Sequence, residues 1–418
     1  MLDDLSNRLQ PTKSTAVVAP KPVFFDLKQE ADQQKIKDLL DQKPHTKIID
    51  TYATQLKELF VLNNPALHVN PPERDKQFEQ HAKEHYGQQE PWQAGKWVYL
   101  SWRHILLHIL DDDGYQQVRT GRNRNIIPAD EQTKYYHSTI GIAGLSVGNS
   151  VALSIVLTGG GKHLKLADPD TLELTNLNRI RGSISELTEP KTYMAARQIY
   201  ELDPYADITF YPDGLTEDNI NDFFDGLDVV IDEIDQLGMK IRIRQEAKKR
   251  KIPVVMAADN GDSGILDIER HDLDDNIPYF HGRAGEDIAE QVLDKNLPLP
   301  LIGQMIGEKL IGYDVTEPRL QESLLEIGKT IPTWPQLGGA ALLNGVIVSA
   351  AVRKILTGQP LIDNRAVASV SSWLIPDYDS PADVKKRAKD TKEFTKQYNA
   401  NIEAFLKMIG WGNASSPS

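Results

Sequence analysis

Between residues 138 and 257 the chain alternates short runs rich in β-branched residues with segments of helical periodicity. Alternating strands and helices of this size predict a parallel, doubly wound sheet, because each crossover helix packs back onto the sheet with right-handed connectivity. In such sheets ligands bind in the crevice outside the carboxyl ends of the strands. We therefore expect a Rossmann-like α/β fold with a mostly parallel sheet and a ligand site at that edge. The expected elements are strand 139–143, helix 148–158, strand 163–167, helix 191–202, strand 208–210, helix 218–224, strand 228–231, helix 239–250 and strand 253–257.

The chain on either side of this region has other patterns. Before it, apolar residues recur at helical spacing in 28–40 and 51–62, and the strongly apolar segment 97–110 is interpreted as a further helix. The chain is thus expected to contain three parts: a mainly helical module (1–118), the α/β domain (119–378), and a C-terminal helix with a tail (379–418). Later elements are expected as a lid or excursion at 297–333, an apolar helix at 339–356, a strand at 367–375 and an amphipathic helix at 382–408.

Two features of the composition exclude classes of function. The formal net charge of -13 argues against an extended nucleic-acid surface or an acidic-membrane surface, since both carry negative charge themselves. The chain has no cysteine, so disulfides, zinc–thiolate sites, thiol nucleophiles and thioester intermediates on its own side chains are excluded. We find no signal-peptide pattern at the N-terminus and expect no segment of membrane-spanning length, so a cytoplasmic protein is expected.

A glycine-rich turn follows the first strand of the α/β region and opens a helix. Gly144 and Gly148 frame this turn, where backbone N–H groups and the helix dipole attract phosphate. The same residues spell a GxSxG pattern around Ser146, which is also the pattern of a hydrolase nucleophile elbow. That alternative requires a downstream histidine, for which His271 and His281 are the candidates. A phosphate-binding turn and a serine hydrolase therefore both remain open at this point.

Charged and amide side chains follow the second strand. Asp168 and Asp170 lie at its carboxyl end, where a carboxylate can accept hydrogen bonds from ribose hydroxyls. Asn176, Arg179 and Lys191 come next and place an amide and two cations near the same crevice. A NAD-dependent oxidoreductase would share the ribose carboxylate but needs no such cations. A reaction that cleaves a triphosphate needs them, because negative charge develops on its leaving group.

The fourth strand runs into Asp232-Glu233-Ile234-Asp235, which brings carboxylates to the same edge of the sheet. Carboxylates together with triphosphate oxygens are the usual ligands of Mg²⁺. The alternative role for Asp235 is to cap the helix that follows. Together with the cations upstream, the pattern favours a magnesium ligand.

As an ordered set, these residues resemble the ThiF/MoeB family of adenylating enzymes, to which ubiquitin-activating enzymes also belong. The resemblance extends over about residues 119–375 and is strongest over 138–269. It implies adenylation of a carboxylate by ATP, and it also implies roles for individual residues. Gly144 and Gly148 would form the phosphate turn, and Asp168 with Asp170 would lie at the ribose. Asn176, Arg179 and Lys191 would bind the phosphates, and Asp235 would bind Mg²⁺.

The resemblance also implies partners. Arg119 to Asn123 is similar to the family's RYxRQ element, whose second arginine reaches the ATP site of the partner subunit. Arg122 is thus the expected trans arginine of a homodimer, unless it only covers acidic surface. The carboxylate substrate would be a small acid, a peptide C-terminus or the tail of a ubiquitin-like protein. Some positions depart from the family pattern, since Ser146 replaces a glycine, Gln236 an asparagine and Lys240 an arginine.

Overall fold

The computed structural model describes residues 18–284 and 297–411. The first 17 residues of the expected N-terminal module, and the tail from residue 412 onward, lie outside the described residues. The chain divides into two compact units. The first contains the chain up to His137 together with Val156–Lys162 and Ala196–Asp207, and the second contains the rest. The expected division at residues 118 and 378 stays a prediction, because compactness alone does not define a domain.

The first unit contains a four-stranded sheet with the order β1-β3-β4-β2. Its strands are β1 (Val23–Phe25), β2 (Lys47–Asp50), β3 (Lys96–Leu100) and β4 (Ile105–Ile109). Strand β3 is antiparallel to both β1 and β4, whereas β2 is parallel to β4. Among its described residues this unit contains the helices α1 (Glu30–Gln42), α2 (Tyr52–Asn63), α3 (Pro71–Tyr86), α4 (Asp112–Arg119) and α5 (Ala129–His137).

The expected helix at 97–110 is wrong, because this segment forms the β3–β4 hairpin. Strand β3 is buried at four consecutive positions, Trp97 to Leu100. A strand covered on both faces has a continuous apolar run, which periodicity alone cannot distinguish from a buried helix. The N-terminal module remains rich in helix, but it is built around a sheet that its sequence pattern did not indicate.

The second unit contains a seven-stranded sheet with the order β11-β10-β9-β8-β5-β6-β7. Strand β5 pairs in parallel with β6 and β8, and β8 pairs in parallel with β9. Strands β9, β10 and β11 form an antiparallel edge. The strands are β5 (Thr139–Ala143), β6 (His163–Ala167), β7 (Asp207–Tyr211), β8 (Val229–Asp232), β9 (Val254–Asn260), β10 (Ser263–Glu269) and β11 (Asn364–Ala368). The predicted α/β fold with a mostly parallel sheet is confirmed.

All four helices expected between these strands are present, and a further set follows them. They are α6 (Val147–Leu157), α7 (Lys191–Leu202), α8 (Ile220–Phe224) and α9 (Leu237–Arg250). The later helices are α10 (Leu299–Met305), which a π-helical segment Ile306–Ile311 extends, α11 (Pro318–Leu324), α12 (Gly338–Thr357), α13 (Val370–Leu374) and α14 (Pro381–Met408). The expected excursion at 297–333 is therefore largely helical.

Two expectations about the C-terminal third are wrong. The expected strand at 367–375 ends at Ala368, and α13 follows it because the Ser369 hydroxyl caps the backbone N–H of Ser372. Helix α12 has 20 residues and is long and apolar enough to cross a membrane, so the chain does contain a segment of membrane-spanning length. More than half of this segment is buried in the protein, where it packs on β9 and β10. Helices of a protein core have the same composition as membrane spans, which explains its apolar character.

Candidate functional site

The glycine turn between β5 and α6 is packed against the backbone that follows β8. Gly144 has φ +88°, and a Cβ at this position would lie 2.3 Å from the carbonyl oxygen of Glu233. Its backbone N–H donates to the carbonyl oxygen of Ala167 at 2.8 Å. At Gly148 a Cβ would lie 3.1 Å from the Ile142 side chain. Gly144 is therefore required both by its left-handed backbone and by the close approach of another strand end.

The buried carboxylate of Asp168 joins this turn to the end of β6. One of its oxygens accepts the backbone N–H of Leu145 at 2.6 Å, and the other accepts that of Asp170 at 2.8 Å. Burial raises the pKa of Asp168, while the nearby Lys191 ammonium opposes the shift. Both side-chain oxygens of Asp168 thus already accept a hydrogen bond from the protein backbone.

Lys191 is the first residue of α7 and lies between two carboxylates. Its Nζ is 2.8 Å from Asp170 Oδ2 and 3.9 Å from Asp168 Oδ1. The Lys191 side chain is 7% exposed, whereas that of Asp170 is 66% exposed. Asp170 consequently presents its carboxylate to solvent while it anchors the lysine.

Arg179 reaches the glycine turn from the loop after β6. Its Nε donates to the Ser146 hydroxyl at 3.0 Å, and its Nη1 donates to the Thr175 carbonyl at 3.3 Å and to Asn178 Oδ1 at 3.0 Å. The nearby Asn176 is buried, and its side-chain oxygen accepts the backbone N–H of Glu173. Arg179 therefore lies beside the turn, and Asn176 shapes the loop that carries it.

The serine-hydrolase alternative is wrong. Ser146 lies after β5 at the carboxyl edge of the parallel strands, and its hydroxyl is bonded by an arginine. His271 follows Glu269 of β10, which pairs with Val254 at the start of β9. His281 contacts the carbonyl oxygen of Ile268, at the same amino-terminal edge. Neither candidate histidine lies at the edge of the sheet where Ser146 is found.

The acidic run after β8 contains carboxylates in three different environments. Asp232 is completely buried and ion-paired with Lys240 at 3.2 Å and Arg244 at 2.5 Å. These two cations outweigh the effect of burial and lower the pKa of Asp232. Glu233 accepts the backbone N–H of Ala257, and burial raises its pKa well above the usual value. Asp235 is exposed.

Asp235 does not cap the next helix. Helix α9 begins at Leu237, and its N-cap residue is Gln236. In the described part of the chain, no three histidine, aspartate or glutamate side chains lie close enough together to bind a metal ion by themselves. A cation at Asp235 would consequently need ligands from a bound molecule as well, as Mg²⁺ bound to a triphosphate has.

Asp259, near the end of β9, is a site residue that the sequence did not indicate. Burial is the main cause that raises its pKa to about 6, and repulsion by Asp235 adds to it. Hydrogen bonds from Asn344 at 2.7 Å and Gln336 at 3.4 Å act in the opposite direction, as does the charge of Arg179. The charges of both Asp235 and Arg179 therefore act on Asp259, and a divalent cation shared by the two carboxylates would relieve their repulsion.

The segment before α12 closes over the loop that carries Arg179. The amide of Asn178 donates to the Gln336 carbonyl oxygen at 2.8 Å. A Cβ at Gly338 would lie 2.3 Å from the Asn178 carbonyl oxygen, so only glycine permits this approach. The segment from Pro335 to Gly339 therefore lies beside the predicted site.

Arg122 belongs to the first unit. It lies in a 3₁₀ turn, Gly121–Asn123, with an exposed side chain. It contributes to the wall of a cavity of about 1080 Å³ within that unit. Its expected action on a partner subunit stays a prediction.

Within the second unit the glycine turn links the other predicted residues to one another. Leu145 contacts Asp168, Ser146 contacts Arg179, and Gly144 contacts the segment that leads to Asp235. Lys191 joins the group through Asp168 and Asp170. The arrangement has a glycine turn at the start of a helix, two cations and exposed carboxylates at one edge of a sheet.

Residues 120–266 match the model of the ThiF family. A Mycobacterium tuberculosis (strain CDC 1551 / Oshkosh) protein named "Uncharacterized protein MT1398" is 36% identical over 288 residues, which are 68% of this chain and 39% of that protein. The tRNA threonylcarbamoyladenosine dehydratase of Bacillus subtilis (strain 168) is 31% identical over 32% of this chain and 54% of its own length. The sulfur carrier protein ThiS adenylyltransferase of Escherichia coli (strain K12) is 30% identical over 34% of this chain and 56% of its own length.

The chain therefore spans between 39% and 56% of the length of these relatives. The matched segment, residues 120–266, contains the glycine turn, Arg179, Lys191 and Asp235. This match favours the adenylating interpretation of the edge over the oxidoreductase alternative.

Proposed function

We propose, from the ThiF family domain that residues 120–266 carry, that the protein transfers the adenylyl group of ATP to a substrate carboxylate. The observation that supports this most is the grouping of the glycine turn, Arg179, Lys191 and the exposed Asp235 at the carboxyl edge of one sheet. Cations beside a phosphate-binding turn are what a triphosphate-cleaving reaction requires.

The triphosphate would bind at the glycine turn and the N-terminus of α6, where the N–H groups of the first helical turn have no partner within the helix. Arg179 is suited to a phosphate because its three hydrogen bonds go to uncharged oxygen atoms. Its positive charge is thus not neutralised by a directly bonded carboxylate. Lys191 is held by Asp170 and Asp168, which fix its position at the start of α7.

Asp168 and Asp170 were both expected at the ribose, and we assign them different roles because their environments differ. Both side-chain oxygens of Asp168 accept hydrogen bonds from backbone N–H groups, so we assign Asp168 to hold the turn. Asp170 has a side chain that is 66% exposed, so we assign it to the ribose hydroxyls. Asn176 takes a supporting role, because its oxygen caps the loop that carries Arg179.

Asp235 would hold a Mg²⁺ ion together with phosphate oxygens, and Asp259 lies close enough to add negative charge. The ion would neutralise charge on the departing pyrophosphate. The protein's own contribution is to keep Asp235 exposed. The neighbouring Asp232 is instead neutralised by Lys240 and Arg244.

In the proposed reaction a carboxylate oxygen of the substrate forms a bond to the α-phosphorus, and the bond from that phosphorus to the bridging oxygen breaks. The products are an acyl-adenylate and pyrophosphate. Arg179 and Lys191 stabilise the charge that develops, and Arg122 of a second copy would assist in a homodimer. Since the chain has no cysteine, the acyl group would pass to an external nucleophile. A small acid, a peptide C-terminus and a ubiquitin-like tail are the three substrate classes, and we expect the reaction in the cytoplasm.

Carboxylate-dependent exchange of labelled pyrophosphate into ATP tests this proposal, with one representative of each substrate class. Asp235→Ala should reduce the exchange by roughly 100-fold or more, because one transition-state charge contact is lost. Asp218→Ala is the matched control, since Asp218 is exposed in the same unit and lies outside the site. Titration calorimetry with Mg-ATP should show weakened binding for Asp235→Ala only. Unchanged exchange in Asp235→Ala would contradict the metal assignment.

A further inference from the structure

A cavity lies within the first unit. One face of α2 lines it with Thr54, Lys57, Glu58, Val61 and Leu62. The remaining wall comes from Pro65, His68, Arg74 and Val118, and from Gly121, Arg122, Arg124 and Asn125. Its volume of about 1080 Å³ is at the upper end of the range for small-molecule sites. We call it the basic cavity.

The charge of the basic cavity is opposite to that of the chain. Four cationic side chains line it, namely Lys57, Arg74, Arg122 and Arg124, against one lining carboxylate, Glu58, and a second carboxylate, Asp75, that is paired with Lys57 and Arg74. The whole chain has a formal net charge of -13. A concave surface of one sign concentrates ligands of the other sign, so the cavity is selective for anions.

Two of the lining cations are already paired with a carboxylate of the same unit. Asp75 on α3 is contacted by Lys57 Nζ at 3.0 Å and by Arg74 Nε at 2.9 Å. These two hydrogen bonds lower the pKa of Asp75, with that from Arg74 the larger cause. The spacing of Lys57 and Arg74 is thus compatible with a carboxylate shared between them. Arg124 is directed by bonds to the Leu62 carbonyl and to Asn63.

The uncharged walls of the cavity indicate what kind of anion it accepts. Val61, Leu62, Pro65 and Val118 supply aliphatic surface between the cations. Surfaces that bind single-stranded nucleic acids stack the bases on aromatic rings, and the lining residues that the structure describes include no phenylalanine, tyrosine or tryptophan. Aliphatic walls with carboxylate-spaced cations fit a peptide that mixes acidic and apolar residues.

We infer that the basic cavity docks an acidic peptide segment, and, on the basis of the proposed function, that this segment belongs to the peptide or protein whose carboxyl group is adenylated. Among the three substrate classes this selects a polypeptide over a small acid. Lys57, Arg74 and Arg124 contact its carboxylates, and the face of α2 packs against its apolar side chains.

Fluorescence anisotropy with the full-length protein tests the inference. The probe is a short fluorescein-labelled peptide of alternating glutamate and leucine, and the comparison peptide has glutamine for each glutamate. The glutamate peptide should bind, and its affinity should fall as salt rises. The double variant with Lys57→Gln and Arg74→Gln should weaken binding roughly tenfold, since two charged contacts are lost. Lys83→Gln, which removes an exposed charge from α3 outside the cavity, is the matched control and should bind normally.

A second variant, Val61→Asp, places a negative charge in the wall and leaves Lys57 and Arg74 in place. It should weaken binding of the acidic peptide more than binding of the glutamine peptide, because only the acidic peptide is repelled by the new charge. Equal losses in the double variant and in Lys83→Gln, or stronger binding of a thymidine oligonucleotide than of the acidic peptide, would overturn the inference. Pyrophosphate exchange on the same preparations separates the two proposals. Exchange without peptide binding refutes the docking site alone, and peptide binding without exchange refutes adenylation alone.

Discussion

Replacing Asp259 with asparagine tests whether the site edge contains a carboxylate that folding disfavours in its charged form. The hydrogen bond from Asn344 to Asp259 Oδ1 can be kept, because an asparagine oxygen also accepts. The weaker contact from Gln336, at 3.4 Å, would be restored by a flip of the Gln336 amide. The substitution therefore removes a negative charge and changes little else.

The magnitude follows from the pKa of Asp259, which folding raises from 3.8 to about 6. A difference of about two units corresponds to about 3 kcal/mol of unfolding free energy. A raised carboxyl pKa means that the folded state binds the proton more tightly than the unfolded state. The stabilising contribution is present below about pH 4 and is lost as the pH rises through 6. Asp259→Asn should thus be more stable than the wild type by up to about 3 kcal/mol at pH 8, and the difference should vanish towards pH 4.

Urea unfolding of the two proteins, without nucleotide and with a chelator present, measures this difference between pH 4 and pH 8. Asp262→Asn is the control, since Asp262 is exposed in the β9–β10 hairpin and close in sequence. It should show no pH-dependent gain. A stability difference for Asp259→Asn that is independent of pH, or a loss of stability at pH 8, would refute the reasoning.

Three further outcomes are expected. Gly144→Ala should lower the free energy of unfolding by about 2–4 kcal/mol and weaken Mg-ATP binding, because the added Cβ would meet a backbone oxygen. Gly226→Ala is the control: Gly226 has φ +69° and open space around it, so thermal unfolding should show a loss of only about 1 kcal/mol. Arg244→Met should destabilise by about 3–5 kcal/mol in urea, because Asp232 and Glu269 lose a fully buried partner. If Arg122 acts in trans, an equal mixture of the inactive Arg122→Ala and Asp235→Ala proteins should recover about a quarter of the exchange activity. Half of the dimers would contain one copy of each variant, and each of these dimers would have one complete site. No recovery would refute a trans role.

The sequence was sufficient for the α/β region because its local patterns and its tertiary structure agree. Strands β5 and β6 and helix α7 have the bounds that were expected, since turns with glycine, aspartate or proline separate each strand from the next helix. It was insufficient for the hairpin of β3 and β4, where apolar residues cover both faces. Hydrophobic periodicity in a sequence arises when one face of an element is exposed to water and the other is buried. A segment with apolar residues on both faces lacks this pattern, so helix and strand cannot be distinguished.

The site shows the same limit at the level of single side chains. Asp259 lies at the end of a strand that was expected to stop at residue 257, so nothing in the sequence marked it as part of the edge. Burial of its side chain raises its pKa, and its hydrogen-bond partners Asn344 and Gln336 are distant in sequence and come near only through α12 and the segment before it. Long-range packing of this kind leaves no local signal.

The acidic run after β8 illustrates how burial gives similar residues different roles. In sequence, Asp232, Glu233 and Asp235 are equivalent candidates for a metal ligand. In the fold, Lys240 and Arg244 neutralise the first, and a backbone N–H of β9 takes the second, whose raised pKa opposes its ionisation. Asp235 is left exposed at the edge. A buried carboxylate that is already paired gains little from a cation, which is why we place the proposed Mg²⁺ site at Asp235 and not at its neighbours.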